Sequence, residues 1–310
     1  MPDPLPVPRE DREVPTLWQA LGLPGLVDVH VHFMPERLLA AVWAYFDAAG
    51  PSIGRRWPIS YRLPEDERVA RLQAMGVRAF PALCYPHKPG MSAALNDWAG
   101  GFAARVPGSV RSGTFFPEPE AVAYVAAALD AGARIFKAHV RVGAYDPRDP
   151  LLEGVWGRLA DAQVPVVVHC GHAPVAGETT GIAPIAAVLA RHPRLRLVVA
   201  HLGAPDYADF LDLAERYSEV HLDTTLVFTG FFSAFAPFPR HLLPRLADLR
   251  ERVVLGSDFP NLPHPYAHQL EALVELDLGE DWLRAVLWDN GARLLGLAAG
   301  RELPAPLAGW

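Results

Sequence analysis

Two histidines separated by one residue stand at the end of a short apolar segment. His30 and His32 occur in the run LVDVHVHF, and residues two apart in an extended strand project to the same face. Both imidazoles can therefore approach one ion, and Asp28 lies on that face. Neutral imidazole is a good zinc ligand, and a third histidine with a carboxylate would complete a site that leaves a position for water. The spacing indicates a metal site whose other ligands come from other segments.

Four further apolar segments end in groups that bind metals or move protons. These groups are Lys137 and His139, His169, His201 and Asp258. His169 and Asp258 can supply the missing ligands, and a carboxylate beside the metal can take a proton from bound water. Any one of the histidines could instead be a hydrogen-bonded core residue, and Asp258 could cap a turn. Taken as a set, they indicate a catalytic centre.

Lys137 follows two apolar residues, Ile135 and Phe136, which argues against a surface position. A buried ammonium beside a cation is costly unless it is neutralised, carboxylated to bridge two metals, or paired with an anionic substrate. His139 lies on the same strand face and could orient Lys137 or a substrate group. We predict one divalent metal, Zn²⁺ with Mn²⁺ as an alternative, and keep a second metal bridged by carboxylated Lys137 open.

Two long connections carry candidate substrate-binding residues. Residues 49–64 contain Arg56 and Trp57, which could bind a carboxylate and stack on a ring. Residues 226–243 are rich in phenylalanine and include Phe231. We expect this second segment either to cover a pocket or to form the contact of a homodimer.

These residues need a scaffold that brings segment ends together. Eight apolar runs rich in β-branched residues recur along the chain, each followed by a stretch of helical period. Their nearly continuous hydrophobicity is typical of parallel strands covered on both faces. The runs are 26–33, 77–85, 110–116, 133–140, 164–170, 195–201, 220–225 and 252–258.

Eight such units predict an α/β fold, a distorted (β/α)₈ or TIM barrel, in which reactive groups gather at the carboxyl ends of strands. A doubly wound open sheet is the alternative, but no GxGxxG motif follows the first run. We expect one domain over residues 1–310, with an N-terminal extension at 1–24. The long connections become loop insertions after strands one and seven. Extra helices are expected over 280–297 and a loose tail over 298–310.

Composition excludes other functional classes. The 310 residues include 28 basic and 35 acidic side chains, a net charge of −7 that disfavours nucleic-acid binding. No apolar run approaches the roughly 18 residues that span a bilayer, and no secretion signal is recognisable, so we expect a cytoplasmic protein without a membrane partner. The two cysteines lie far apart, which argues against a disulfide framework and a cysteine zinc site.

The ordered set of motifs resembles the amidohydrolase superfamily. It looks most like the second amidohydrolase-related branch, which includes aminocarboxymuconate-semialdehyde decarboxylase. The motifs are DVHVH (28–32), KAH (137–139), HCG (169–171), AHLG (200–203) and GSDFP (256–260). The resemblance implies a metal-dependent (β/α)₈ barrel in which His30, His32, His169 and Asp258 hold one ion, usually zinc. It also implies that His201 acts on the substrate or on bound water.

The metal motifs do not choose the reaction. Hydrolytic members of the superfamily cleave amides, esters or lactones, whereas decarboxylase-like members break a carbon–carbon bond in aromatic or unsaturated acids. We predict a hydrolase for a small carbonyl, ester, amide or lactone substrate, in which Asp258 accepts the proton of a metal-activated water and His201 polarises the carbonyl. A decarboxylase is the alternative, and a non-catalytic barrel is a third hypothesis.

Overall fold

The apolar runs of the sequence form short parallel strands in the computed structural model, which describes residues 4–297. The tail predicted for 298–310 lies outside the described residues. The strands are β1 (Leu26–Val27), β2 (Val77–Pro81), β3 (Ser109–Val110), β4 (Ser112–Thr114), β5 (Ile135–His139), β6 (Val166–His169), β7 (Leu197–Val199), β8 (Val220–Asp223) and β9 (Val253–Val254). Most strand residues are buried, as expected for strands covered on both faces.

Helices follow the strands at the positions that helical periodicity indicates. They are α1 (Val14–Ala20), α2 (Glu36–Ala48), α3 (Gly50–Ile53), α4 (Glu65–Ala74), α5 (Ser92–Arg105), α6 (Ala121–Asp130), α7 (Val140–Gly143), α8 (Glu153–Ala162), α9 (Ile182–Arg191), α10 (Tyr207–Arg216), α11 (Gly230–Ser233), α12 (Leu243–Asp248), α13 (Ala267–Glu275), α14 (Glu280–Arg284) and α15 (Asn290–Leu294). Gly76 ends α4 with a φ of 86°, where a Cβ would meet the indole of Trp18 at 2.4 Å. Glycine is therefore required at this junction with β2.

The strands follow one another in chain order. β1, β2 and β3 form one parallel sheet, and β4 to β9 form a second. The predicted third strand is divided at Arg111, whose guanidinium lies against Gly100 of α5, so β3 pairs with β2 and β4 pairs with β5. The first run also contacts the last, since Val29 N donates to Leu255 O at 2.9 Å. This order, with helices between the strands, confirms the predicted α/β fold of the (β/α)₈ type.

The two ends of the described chain pack on the strands. Val14 and Leu17 of α1, within the predicted N-terminal extension, are fully buried. The helices expected over 280–297 are α14 and α15, joined by a π-helical turn at Ala285–Asp289. Asn290 ties this region to β9 because its Nδ2 donates to Val253 O at 2.7 Å. Among the described residues, no helix is long and apolar enough to cross a membrane.

The two insertions meet over the carboxyl ends of the strands. Arg55, in the 49–64 segment, donates from Nη1 to Phe231 O at 2.7 Å and lies 3.8 Å above the ring of Phe231. Trp57 packs edge-on against the same ring, with centroids 5.0 Å apart. The insertions therefore support each other at this end of the strands.

Candidate metal centre and active site

Three predicted metal ligands lie together at the carboxyl ends of the first and last strand regions. The ligand atoms of His30, His32 and Asp258 all lie within 4.8 Å of one another, and the three residues are buried. The Oδ1 atom of Asp258 is 2.9 Å from His32 Nε2 and 3.8 Å from His30 Nε2. Two imidazoles and a carboxylate are donors that divalent metals prefer. The donor set therefore fits a divalent ion.

Unusual backbone conformation directs Asp258 into this cluster. Its φ is 71°, in the left-handed region that few non-glycine residues adopt, and its N–H donates to His30 O at 2.8 Å. Burial raises the pKa of the Asp258 carboxyl, but the hydrogen bond and positive field of His32 outweigh burial, so the net pKa is lowered. Asp258 is therefore ionised, as a metal ligand must be.

Fixed acceptors orient both imidazoles. The Nδ1–H of His30 donates to Asp223 Oδ2 at 2.8 Å, and that of His32 donates to Leu83 O at 2.7 Å. A carboxylate and a carbonyl only accept, so each ring carries a proton on Nδ1, and Nε2 is the nitrogen that faces the cluster. These outer hydrogen bonds are the kind that hold metal-binding histidines in position.

Sequence reasoning missed Asp223, the last residue of β8. It is fully buried, and besides His30 it accepts hydrogen bonds from the backbone N–H groups of His201 at 2.8 Å and Thr225 at 3.2 Å. The sequence feature that could have identified Asp223 is an acidic residue within the predicted strand 220–225, which ends in HLDTT. One carboxylate thus positions both a predicted ligand and the predicted catalytic histidine.

Lys137 lies at the same cluster and is fully buried. Its Nζ donates to His30 Nε2 at 2.8 Å. Burial lowers the pKa of Lys137 to about 8, against the opposing fields of Asp223 and Asp258. The lysine therefore faces the predicted metal ligands, where it can contact either an ion's ligand shell or a substrate.

Three more histidines border the cluster. His169 lies outside the group of three, and its Nε2–H donates to Ala173 O at 3.0 Å. Its ring stacks on His139 at 4.2 Å and lies 4.8 Å from the ring of His201. His201 lies 5.3 Å from His30 between ring centroids. Burial lowers the pKa of His169 to about 3 and also lowers that of His201, so both rings are neutral near pH 7.

The cluster opens into a cavity of about 450 Å³. Lys137, His139, His201 and Trp57, four of the predicted catalytic and substrate-binding residues, line it. Of the other two substrate-binding predictions, Arg56 is exposed and Phe231 packs on Arg55; neither is among the lining residues that the structure describes.

Phe232 rather than Phe231 reaches the cavity. Thr229 caps α11 by accepting a hydrogen bond from Phe232 N at 3.3 Å, and consecutive helical side chains point about 100° apart. The ring of Phe232 lies nearly parallel to that of His201, with centroids 6.1 Å apart and planes inclined by 6°. The phenylalanine-rich segment thus supplies an apolar wall beside the candidate catalytic histidine.

A sequence model of the family described as amidohydrolase matches residues 27–297. No curated protein gives a significant match. The fold is similar to that of an uncharacterised TIM-barrel protein from Bordetella bronchiseptica, with a TM-score of 0.68 and 18% identity over 88% of this chain and 98% of the other.

Two further solved structures have more specific names. A 5-carboxyvanillate decarboxylase from Sphingomonas paucimobilis has a TM-score of 0.60 and 16% identity over 89% of this chain and all of the other. A probable 2-pyrone-4,6-dicarboxylic acid hydrolase from Acinetobacter baumannii, with citric acid bound, has a TM-score of 0.58 and 12% identity over 88% of this chain and all of the other. At these identities, the likeness concerns the fold alone.

Proposed function

This chain belongs to the amidohydrolase family, and we propose that it is a metal-dependent hydrolase of a small carbonyl, ester, amide or lactone substrate. The observation that carries the proposal is the buried group of His30, His32 and Asp258, whose ligand atoms lie within 4.8 Å of one another at a cavity. Burying three converging polar groups lowers the stability of a protein, so their presence indicates a functional role.

Under this proposal His30, His32 and Asp258 hold one divalent ion, with His169 as the further ligand that the family resemblance implies. Zinc is the ion we expect, since imidazole and carboxylate donors suit it. When bound, such an ion polarises a carbonyl oxygen and makes water more acidic. The Nδ1–H bonds of His30 and His32 direct both Nε2 atoms toward the position that it would occupy.

His201 orients the attacking water in this proposal. Its Nδ1–H donates to Thr225 O at 3.2 Å, so the neutral ring has an unprotonated Nε2 that accepts a hydrogen bond. The role differs from the carbonyl polarisation expected from the sequence, which would need a proton on Nε2. Asp258 accepts the proton of the attacking water and returns it to the leaving group, as general acid–base catalysis requires.

Two substrate panels test the proposal. Esters, lactones and amides are assayed for hydrolysis, and aromatic acids are assayed for release of carbon dioxide. We expect turnover in the first set and a loss of about 100-fold in His201→Asn with nearly unchanged metal content. The exposed His241 gives a matched control, since His241→Asn should keep full activity. Turnover confined to the aromatic acids, or an active His201→Asn, would contradict the proposal.

A decarboxylase of an aromatic or unsaturated acid is the second candidate. The observation that favours it is the apolar wall of the cavity, formed by Val42 and Phe46 of α2 together with Trp57 and Phe232. Such a wall suits a planar unsaturated body. Carbon dioxide release from the acid panel, without hydrolysis of any ester or lactone, would establish this reaction instead.

A further inference from the structure

Asn261 is a buried carboxamide on the wall of the cavity. It follows Asp258 in the loop after β9, lines the same cavity and is only 2% exposed. Its backbone N–H donates to Asp258 O at 2.8 Å, and its backbone carbonyl accepts from Trp57 Nε1 at 2.8 Å. Its Oδ1 accepts from Trp43 Nε1 at 3.2 Å. Both backbone groups and the side-chain oxygen are therefore bound to protein.

The side-chain NH₂ group of Asn261 is left for a ligand. An indole nitrogen can only donate, so the amide atom that faces Trp43 must be the oxygen, and this fixes which branch of the amide carries Nδ2. Within residues 4–297, no protein group accepts a hydrogen bond from this Nδ2. A buried N–H without an acceptor lowers stability. Because Asn261 lines the cavity, a molecule bound there can supply the acceptor.

The other asparagines use the same group for structure. The sequence contains three asparagines. Asn96 Nδ2 donates to Thr114 O at 3.2 Å, and Asn290 Nδ2 donates to Val253 O at 2.7 Å. Neither residue is among the described residues that line the cavity. Asn261 differs from both, because it lies at the cavity and its NH₂ group supports no protein contact.

Two separate segments hold the Asn261 amide in place. Trp43 belongs to α2, whereas Trp57 belongs to the 49–64 insertion. Trp57 also packs against Phe46 and Phe231, with ring centroids 5.2 and 5.0 Å apart. A donor that is already oriented loses little conformational freedom when a ligand binds, so more of its hydrogen-bond energy contributes to affinity. It also favours one position of the acceptor atom.

We propose that Asn261 is a substrate-binding residue whose NH₂ group donates a hydrogen bond to an uncharged carbonyl oxygen of the substrate. The inference rests on the proposed function, because it adds a binding group for the substrate of that same site. An amide carries no charge, so it suits the oxygen of a ketone, ester, amide or lactone. The neighbouring rings of Phe46 and Trp57 also line the cavity and would contact the apolar part of the same molecule.

Two probes that differ at one position test the proposal. Acetophenone has a carbonyl oxygen, α-methylstyrene has a CH₂ group in its place, and neither contains a bond that a hydrolase cleaves. Labelling asparagine with ¹⁵N gives three side-chain NH₂ signals, and the signal lost in Asn261→Leu identifies Asn261. We expect acetophenone to move this signal downfield relative to α-methylstyrene, whose ring current is similar. The signals of Asn96 and Asn290 serve as internal controls and should stay in place.

Titrations with the same probes measure the contribution to affinity. Asn261→Leu removes both N–H donors at similar volume, so it should weaken acetophenone binding about 3- to 10-fold, the range for a neutral hydrogen bond. It should change α-methylstyrene binding less than about twofold. The substitution also leaves the Trp43 indole without its acceptor. Trp43→Phe is the matched control, because it removes that indole but keeps the NH₂ group, and it should weaken acetophenone binding less than Asn261→Leu does.

The contrary outcomes are distinct. Absence of acetophenone binding, or equal movement of the Asn261 signal by both probes, overturns the proposal. An equal loss of both probes in Asn261→Leu would assign Asn261 a structural role. A Trp43→Phe variant that reproduces the whole loss would assign the effect to the indole. None of these measurements uses turnover, so the hydrolase proposal, tested with the substrate panels and His201→Asn, can fail independently.

Discussion

Replacing Asp223 with asparagine should weaken metal binding, because Asp223 accepts the hydrogen bond that orients His30. The two carboxylate oxygens accept from three donors, the Nδ1–H of His30 and the backbone N–H groups of His201 and Thr225. Asparagine keeps the volume but has one acceptor oxygen, so its NH₂ group must face at least one donor in either orientation. If it faces His30, the ring proton moves to Nε2 and removes the lone pair needed by a metal.

The magnitude follows from these contacts. Loss of an outer hydrogen bond to a metal-binding histidine weakens metal binding by about 10- to 100-fold, or roughly 1.4 to 2.8 kcal/mol. Thr225 Oγ1 lies 3.1 Å from the same nitrogen and offers a weaker second acceptor, so we expect a loss nearer tenfold. In the metal-free protein, the buried donor left unpaired should lower the free energy of unfolding by about 1–3 kcal/mol.

Competition against a fluorescent chelator measures the metal affinity, and urea unfolding measures the stability. Asp206→Asn is the matched control, because Asp206 also accepts from a histidine, His172, at 2.5 Å but lies outside the cluster. The control should keep the wild-type metal affinity. An Asp223→Asn variant that binds metal as tightly as the control would refute the reasoning.

Two further variants test other parts of the structure. Lys137→Met should keep the full metal complement and mainly reduce turnover or substrate binding, whereas loss of one of two equivalents, recovered by a short carboxylic acid, would establish a carboxylated bridge. Burial lowers the pKa of His221 in β8 from its ordinary value of 6.5 to about 4. As the pH falls below 6.5, His221 therefore takes up a proton in the unfolded chain but not in the folded protein. The folded protein loses stability between pH 6.5 and pH 4 for this reason. Urea unfolding of the metal-free protein should show His221→Gln losing less stability than the wild type from pH 7 to 5, by on the order of 2 kcal/mol; parallel losses would contradict the assignment.

The fold class was predictable because burial on both faces leaves a strong signal in parallel strands. The division of the third strand at Arg111 was not, since it shows only in the pairing of β3 with β2 and of β4 with β5. The ends of the predicted strands do carry the converging group. His30, His32 and Asp258 come from segments far apart in sequence, yet the strand order brings them together.

Loop residues were harder to assign than strand ends. The choice between Phe231 and Phe232 depends on the rotation of α11, which is set by the Thr229 cap, and a single-residue shift cannot be read from composition. Asp223 escaped notice because only its contacts with the two histidines that it positions distinguish it from other acidic residues.

The metal content of protein purified without chelator tests the central claim most directly. Elemental analysis should find about one equivalent of a divalent transition metal per chain, as a site with two imidazoles and a carboxylate predicts. His32→Ala, which removes one ligand, should lose most of it. Less than about 0.2 equivalents in the wild type after incubation with Zn²⁺ or Mn²⁺, or an unchanged content in His32→Ala, would contradict the assignment of His30, His32 and Asp258 as the metal centre.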